Sequence, residues 1–182
     1  RTASVSANAT ITLDLTLERL DDLPARGIWS GDLHVHMNYG GAYRNDPGRL
    51  VRQAQAEDVH VVESLIVNKE QRVPDLAHFT GRLDPASTGD TLLFHGQEYH
   101  TSFWGHVGLL GLRDHLILPG YAAYANTAAA SPHPANATVI DQARSQGAVA
   151  GYVHPFDAAP APAHLARPLT HELPVDVALG RV

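Results

Sequence analysis

The sequence contains no cysteine, and it has one methionine, two tryptophans and four phenylalanines in 182 residues. Without cysteine there is neither a disulfide framework nor a thiolate zinc site. No apolar run approaches the ~20 residues that a membrane-spanning helix needs. We therefore expect a soluble protein, cytoplasmic or secreted, in which any metal site is built from imidazole and carboxylate groups.

Positive charge and two common catalytic motifs are also scarce or absent. Lys and Arg total 13 against 19 Asp and Glu, and the net charge of −6 gives no general attraction to nucleic acid or to an anionic membrane. The sequence has no G-x-x-x-x-G-K phosphate loop and no G-x-S-x-G nucleophile elbow, which excludes the obvious nucleotide-binding and serine-hydrolase classes. We expect a small-molecule substrate, and the composition leaves the oligomeric state open.

Hydrophobic periodicity predicts an α/β architecture after a short N-terminal piece. Ile11, Leu13, Leu15 and Leu17 alternate with polar residues, which predicts a half-buried strand. We assign residues 1–26 to this strand and a linker, as the probable end of an upstream β-sandwich-like domain. In residues 27–182, strands alternate with helices at 46–59 and 138–147. Asp46 is the predicted cap of the first helix, and Gly147 ends the second.

Two histidines, His34 and His36, stand one residue apart in the stretch WSGDLHVHMNYGG. On a helix such side chains diverge by about 200°, whereas on a strand they share a face. If the stretch is a strand, both imidazoles project together, and Leu33 and Val35 pack the other way. The pattern fits the first half of a metal site, or two polar residues on a solvated face.

Later strands carry further side chains of the ligand type. Glu98 and His100 share one strand face, His106 opens an apolar strand, and His154 ends another. Polar groups that become buried need partners, and a shared divalent cation supplies one. Imidazole together with carboxylate suits zinc, manganese or iron better than calcium.

In this order the residues resemble the PHP family, named for polymerase and histidinol phosphatase. The matching segments read LHVH, GQE, GHVGLLG and VHP, and the surrounding sequence is similar to that of the CehA/McbA metallohydrolase branch. The likeness runs from about Trp29 to the end of the chain. It implies a distorted (β/α)7-type barrel with its site at the C-terminal rim of the strands. It also implies two metal ions, bridged by Glu98, with the ligands His34, His36, Glu98, His106 and His154.

The sequence departs from that family in two places. Many members end the second strand with an aspartate–histidine pair, where this chain continues with Asn68, Lys69 and Glu70. This departure argues against a third ion. Members also carry a late Asp-x-His motif, which the last part of this chain lacks. We therefore expect residues 27–182 to be the N-terminal part of a barrel, with a further ligand beyond Val182.

Several other polar and aromatic residues have competing interpretations. We assign a catalytic role to His100, and a structural hydrogen bond is the alternative. Asp32 would share the face of the histidine pair in a regular strand, or it accepts a turn amide. Trp104 fits a packing role. The other histidines lack a matching partner and fit surface or core positions: His60, His78, His95, His115, His133, His164 and His171.

These features lead to a metal-dependent hydrolase as the expected function. A metal-activated water would attack an ester-type bond, which is a phosphoester, carboxylic ester, amide or carbamate. Positive side chains near the motifs are limited to Arg44, Lys69 and Arg72, so the bond type stays open. The alternatives are a non-catalytic domain that binds a metal or ligand through an incomplete site, and a β-sandwich binding module with the barrel as its companion.

Overall fold

The computed structural model describes residues 2–38, 44–67, 75–101, 104–118, 121–122, 126, 130–154 and 172–182. Within these ranges the strands are β1 (Gly31–Val35), β2 (Val61–Val67), β3 (Leu92–Thr101), β4 (Val107–Leu110), β5 (Tyr121–Ala122) and β6 (Val149–Tyr152). The helices are α1 (Pro47–Ala56), α2 (Asn136–Ser145) and α3 (Leu173–Ala178), with short 3-10 turns at Pro24–Arg26 and Leu76–His78. None of these helices has both the length and the apolar character to cross a bilayer.

The strands form one mixed sheet. Its order is β1-β2-β3-β4-β6, and the short β5 pairs with β3. β1, β2 and β3 run parallel, whereas β4 runs antiparallel to both β3 and β6. The prediction of a (β/α)7-type barrel is therefore wrong, because the described residues form a curled sheet with three short helices.

The short connection between β3 and β4 explains part of this difference. A parallel crossover takes about a dozen residues or more. Only residues 102–106 separate the end of β3 from the start of β4. β4 therefore turns back alongside β3, and its first residue lies at the edge of the sheet where β3 ends.

The N-terminal segment does not form the strand that its alternating pattern predicts. The described residues 2–22 contain neither helix nor strand, and the alternating apolar side chains are exposed, Leu17 to 89%. A strand is stable only beside neighbours that take up its backbone hydrogen bonds. No described strand pairs with this segment, so the prediction of a preceding β-strand is wrong. The domain division after residue 26 stays a prediction.

The two longer helices cover one face of the sheet. α1 begins after Asp46, whose carboxylate accepts a hydrogen bond from the Arg49 amide at 2.8 Å, which confirms the predicted cap. α1 packs on β2 and β3 in one apolar cluster, and α2 packs on β4 and β6 in a second. Gly147 follows α2 with a φ of 84°, the left-handed conformation predicted for it.

The opposite face of the sheet carries two buried carboxylates, Glu63 and Glu98. Residue pairing between β2 and β3 places Glu63, Gly96 and Glu98 on this same side. A Cβ atom on Gly96 would stand 2.5 Å from Glu63 Oε1 and 2.5 Å from the Leu109 carbonyl oxygen. Glycine is therefore required at this position for β3 to lie so close to its neighbours.

The sheet is curled strongly enough to bring its outer strands together at one end. β1 and β6 stand at opposite ends of the strand order. Neighbouring strands are separated by about 4.8 Å, so a flat sheet would hold these two far apart. The ring centroids of His34 and His154, at the ends of β1 and β6, are nevertheless 5.0 Å apart.

Candidate metal centre

Strand direction brings the ligand-type residues to one edge of the sheet. Glu98 lies near the C-terminal end of β3, and His36 and His154 follow the C-terminal ends of β1 and β6. His106 directly precedes β4, which runs in the opposite direction. The N-terminal end of β4 therefore meets the C-terminal ends of the other strands.

An irregularity in β1 shapes the first histidine pair. The pairing of β1 with β2 shifts register between Asp32 and Val35, and such a bulge re-aims the side chains of its strand. His34 Nε2 and His36 Nε2 are 3.1 Å apart, so the prediction that both imidazoles project together is confirmed. Leu33 is 52% exposed, so the prediction that it packs into apolar surroundings is wrong.

Glu98 lies at the centre of the cluster, with its side chain only 2% exposed. Its Oε2 is 2.8 Å from His36 Nε2 and 3.5 Å from His34 Nε2. Its Oε1 is 2.8 Å from His106 Nδ1 and 3.5 Å from His154 Nε2. The two oxygens of one carboxylate thus face two imidazole pairs, which we call the His34–His36 half and the His106–His154 half.

A backbone contact fixes the ring of His36. Its Nδ1 lies 2.9 Å from the carbonyl oxygen of Leu65 in β2 and donates a hydrogen bond to it. In the neutral ring this leaves the lone pair on Nε2, which is the nitrogen next to Glu98. Metal-binding histidines commonly use their second ring nitrogen in this way, because the bond sets the tautomer and the ring orientation.

Burial and neighbouring groups act in opposite directions on Glu98. Burial alone would raise the pKa of this carboxyl, but the contacts with His106 and His36 outweigh it and hold the pKa well below its usual range. Burial would lower the pKa of His36, but Glu98 and the Leu65 carbonyl outweigh it and raise this pKa. Glu98 is therefore ionised at neutral pH, which is the state in which a carboxylate binds a cation.

The cluster has the donor atoms and the spacing that a divalent metal requires. Ligand atoms lie within 4.8 Å of one another in the group His34, His36 and Glu98, and likewise in the group Glu98, His106 and His154. Glu98 Oε1 and His106 Nδ1 are buried, and within the described part of the chain neither has a hydrogen-bond partner although they lie 2.8 Å apart. A cation would satisfy both atoms. This cluster could hold a metal ion.

The structure brings together all five residues that were predicted as metal ligands. His100, the predicted catalytic residue, is not among the groups with ligand spacing. It is buried two residues beyond Glu98, and its ring centroid lies 3.5 Å from that of His106. His100 therefore packs against a residue of the cluster, and its catalytic role stays a prediction.

Other candidates have structural contacts or lie elsewhere. Asp32 accepts a hydrogen bond from the His34 amide at 3.0 Å, which is the structural alternative for this residue. His95 contacts buried Asp84 at 2.8 Å, and His60 contacts Ser30 Oγ at 2.8 Å, away from the cluster. Several residues considered above lie outside the described ranges: Asn68, Lys69, Glu70, Arg72, His164 and His171.

A polar network beside the cluster, with three buried members and one partly buried member, was not predicted from the sequence. Its members are Asn136, Tyr152, Glu172 and Asp176, joined by hydrogen bonds of 2.6 to 3.3 Å. Asn136 and Asp176 are 0% exposed. The four residues lie on three elements and have no common motif or spacing, so only the folded chain relates them.

Comparison with models of known protein families found no match, and searches of curated proteins and of solved structures found none either. A functional assignment therefore depends on the geometry and the chemistry of the cluster.

Proposed function

We propose that the chain is a metal-dependent hydrolase domain that cleaves an ester-type bond, which is a phosphoester, carboxylic ester, amide or carbamate. The observation that carries this proposal is the position of Glu98, whose two oxygens face two different imidazole pairs. One carboxylate between two nitrogen pairs suits a pair of ions. Two metal ions held about 3.5–4 Å apart are common in enzymes that hydrolyse phosphoesters and amides.

Each half of the cluster would hold one ion. His34 and His36 would bind it with Glu98 Oε2, and His106 and His154 would bind the other with Oε1. Such ions supply Lewis acidity and lower the pKa of water toward neutrality. Glu98 keeps its negative charge between the halves, and the buried carboxylate holds the imidazoles around it in place.

The number and exposure of the donors favour catalysis over a purely structural site. Structural zinc sites are usually closed by four protein ligands, whereas catalytic sites use three and leave a position open. Within the described residues, each half offers three donors. His34 and His154 are the most exposed of them, at 32% and 39%, so a small substrate approaches the cluster from their side. Because water is the nucleophile, no cysteine or serine motif is needed.

Metal content and turnover of the purified chain test the proposal. We expect about two zinc, manganese or iron ions per chain, and hydrolysis of p-nitrophenyl phosphate or of aryl carbamate and carboxylic esters when zinc or manganese is added. The double variant His34→Ala/His36→Ala should lose at least one ion and reduce turnover by about 100-fold or more. His60→Ala is the matched control, because His60 is a partly buried histidine outside the cluster.

Three results would decide between the alternatives. Absence of bound metal, or full activity in the double variant, would contradict the proposal. Two bound ions without turnover of any ester, amide or carbamate would favour the non-catalytic metal-binding domain. The resemblance to the PHP family stays a prediction, and the curled sheet of the described residues is not the barrel that the resemblance implies.

A further inference from the structure

One buried amide contacts both segments that carry the His106–His154 half. Asn136 Nδ2 donates hydrogen bonds to the Gly105 carbonyl oxygen at 2.8 Å and to the Tyr152 hydroxyl at 3.3 Å. Gly105 directly precedes His106, and Tyr152 precedes His154 by two residues. The side chain of Asn136 therefore fixes the distance between the two ligand-bearing segments.

Two carboxylates hold Asn136 in place. Glu172 accepts hydrogen bonds from the backbone amides of Asn136 at 2.8 Å and Ala137 at 3.1 Å. It thereby caps α2, whose own N-cap residue makes no side-chain bond. Asp176 accepts a hydrogen bond from the Tyr152 hydroxyl at 2.6 Å. The backbone of Asn136 is held by one carboxylate, and its side-chain partner is held by the other.

The segments that Asn136 joins have backbone conformations that need support. Gly105 has a φ of 101°, and His154 has a φ of 53°, which is the left-handed region that residues other than glycine rarely adopt. Such a conformation persists where the surroundings enforce it, and it is often found at functional sites. A backbone hydrogen bond from Val153 to the His106 carbonyl, at 3.1 Å, joins the same two segments directly.

The cost of burying Asn136 argues against a purely stabilising role. The residue is 0% exposed, and its Oδ1 has no hydrogen-bond partner among the residues that the structure describes. An unpaired buried oxygen destabilises a fold, so the position is explained by what the amide nitrogen donates. Among the described hydrogen bonds, none joins Asn136 to the His34–His36 half, where His36 is held by the Leu65 carbonyl instead.

We propose that Asn136 is the positioning residue of the His106–His154 half, and that its bonds to Gly105 and Tyr152 set the affinity of this half for its ion. The inference rests on the proposed function, because it requires two ions per chain. Loss of a hydrogen bond behind a metal ligand typically weakens metal binding by about 10–100-fold. Asn136→Ala should lower the affinity for one of the two ions by this factor and leave the affinity for the other unchanged.

Titration of the metal-free chain with cobalt(II), followed by its absorption bands and by calorimetry, measures the two affinities. We expect the wild-type chain to bind two ions, and Asn136→Ala to have a lower affinity for one of them only. Gln146→Ala is the matched control. Gln146 is also a buried amide, and its Oε1 accepts hydrogen bonds from the backbone amides of Asp114 and His115, in a segment without a ligand of the cluster. This control should bind both ions with wild-type affinity.

Combination with ligand variants shows which half is affected. In a His154→Ala background, where the His106–His154 half is already broken, Asn136→Ala should have no further effect on the remaining ion. In a His34→Ala background, Asn136→Ala should lower the affinity for the remaining ion by about 10–100-fold. Thermal unfolding of the metal-free variants checks that they are folded. If Asn136→Ala does not fold, Tyr152→Phe, which removes only the hydroxyl, should lower the affinity for the same ion.

The possible failures are distinguishable. The positioning role would be overturned, and the proposed function left intact, by either of two results in folded Asn136→Ala. The affinities for both ions could fall equally, or both could stay unchanged. Fewer than two ions in the wild-type chain would overturn the two-ion centre and this inference with it.

Discussion

Glu98 and Glu63 are buried carboxylates on the same face of the sheet, and their neighbours make them chemically different. They are 2% and 5% exposed, so burial does not distinguish them. The imidazoles around Glu98 hold its pKa well below the usual range. Glu63 accepts a hydrogen bond from the Gly111 amide at 3.3 Å, and burial raises its pKa. A cation site requires an ionised carboxylate among imidazoles, as at Glu98, rather than a buried carboxyl with a raised pKa, as at Glu63.

Replacing Glu98 by glutamine should therefore remove metal binding from both halves. The amide keeps the size of the side chain but has no charge and only one oxygen to offer. We expect both ion affinities to fall by about 100-fold or more, measured by calorimetry with zinc or manganese. Glu63→Gln is the matched control and should bind both ions normally. Loss of only one ion in Glu98→Gln would contradict the bridging position of this carboxylate.

Glu63→Gln should also stabilise the protein at neutral pH and have little effect in acid. The pKa of Glu63 is raised in the folded protein above its ordinary value of 4.5. The wild-type chain therefore loses stability as the pH rises from below 4.5 through the folded pKa, because a buried carboxyl must ionise. The variant has no such group. Urea unfolding with a chelator present should give a difference between the two proteins that is near zero at pH 4 and grows toward pH 7.

At the scale of the elements, features with local causes were predictable from the sequence. The start of α1 follows from the capping chemistry of Asp46, and the end of α2 follows from the left-handed Gly147. β3 and β6 also lie where the sequence predicts a strand with Glu98 and an apolar strand before His154. In each case the information lies within a few residues of the feature.

Features that depend on distant segments were not predictable in this way. The alternation around Leu17 predicts a strand, but a strand forms only where another strand is available to pair with it. The bulge after Asp32 arises from the pairing of β1 with β2. The role of Asn136 depends on Gly105 and Tyr152, which α2 meets only in the folded chain.

Close packing of β3 against its neighbours makes Gly96 sensitive to substitution. In Gly96→Ala the new methyl group would stand 2.5 Å from the backbone oxygen of Leu109, which cannot move without breaking the pairing of β3 with β4. We expect a loss of about 1–3 kcal/mol in the free energy of unfolding, measured with urea. Gly151→Ala, in β6, is the control, because no atom of the described residues lies within 4 Å of its added Cβ. Equal effects of the two substitutions would contradict the packing argument.

At the scale of the whole molecule, the fold was predicted wrongly although the predicted ligands lie together. A cluster at strand ends requires only that those ends meet at one edge of a sheet, and both a barrel and a curled open sheet meet this condition. The order of His34, Glu98, His106 and His154 along the chain carries information about that edge. It carries none about whether β1 and β6 pair, which decides between closure and an open sheet.

The cluster bridges the two outer strands of the described sheet. β1 and β6 stand at opposite ends of the strand order, and within the described ranges no backbone pairing joins them. His34 and His36 lie at the end of β1, and His154 follows β6. Without metal, the described contacts between the two strand ends are those of imidazoles around one carboxylate. With metal, coordinate bonds through Glu98 would link both ends to β3.

Metal binding should therefore protect the ends of β1 and β6 from hydrogen exchange more than it protects β2. A ligand that binds only the folded state stabilises it by about 2.7 kcal/mol at 100 times its Kd, and local opening of the outer strands requires release of the ions. Exchange measured by mass spectrometry, with and without zinc, should slow most in peptides that contain residues 31–36 and 149–154. Glu98→Gln should show no such slowing. Uniform protection across the sheet would indicate that the ions stabilise the fold without joining its outer strands.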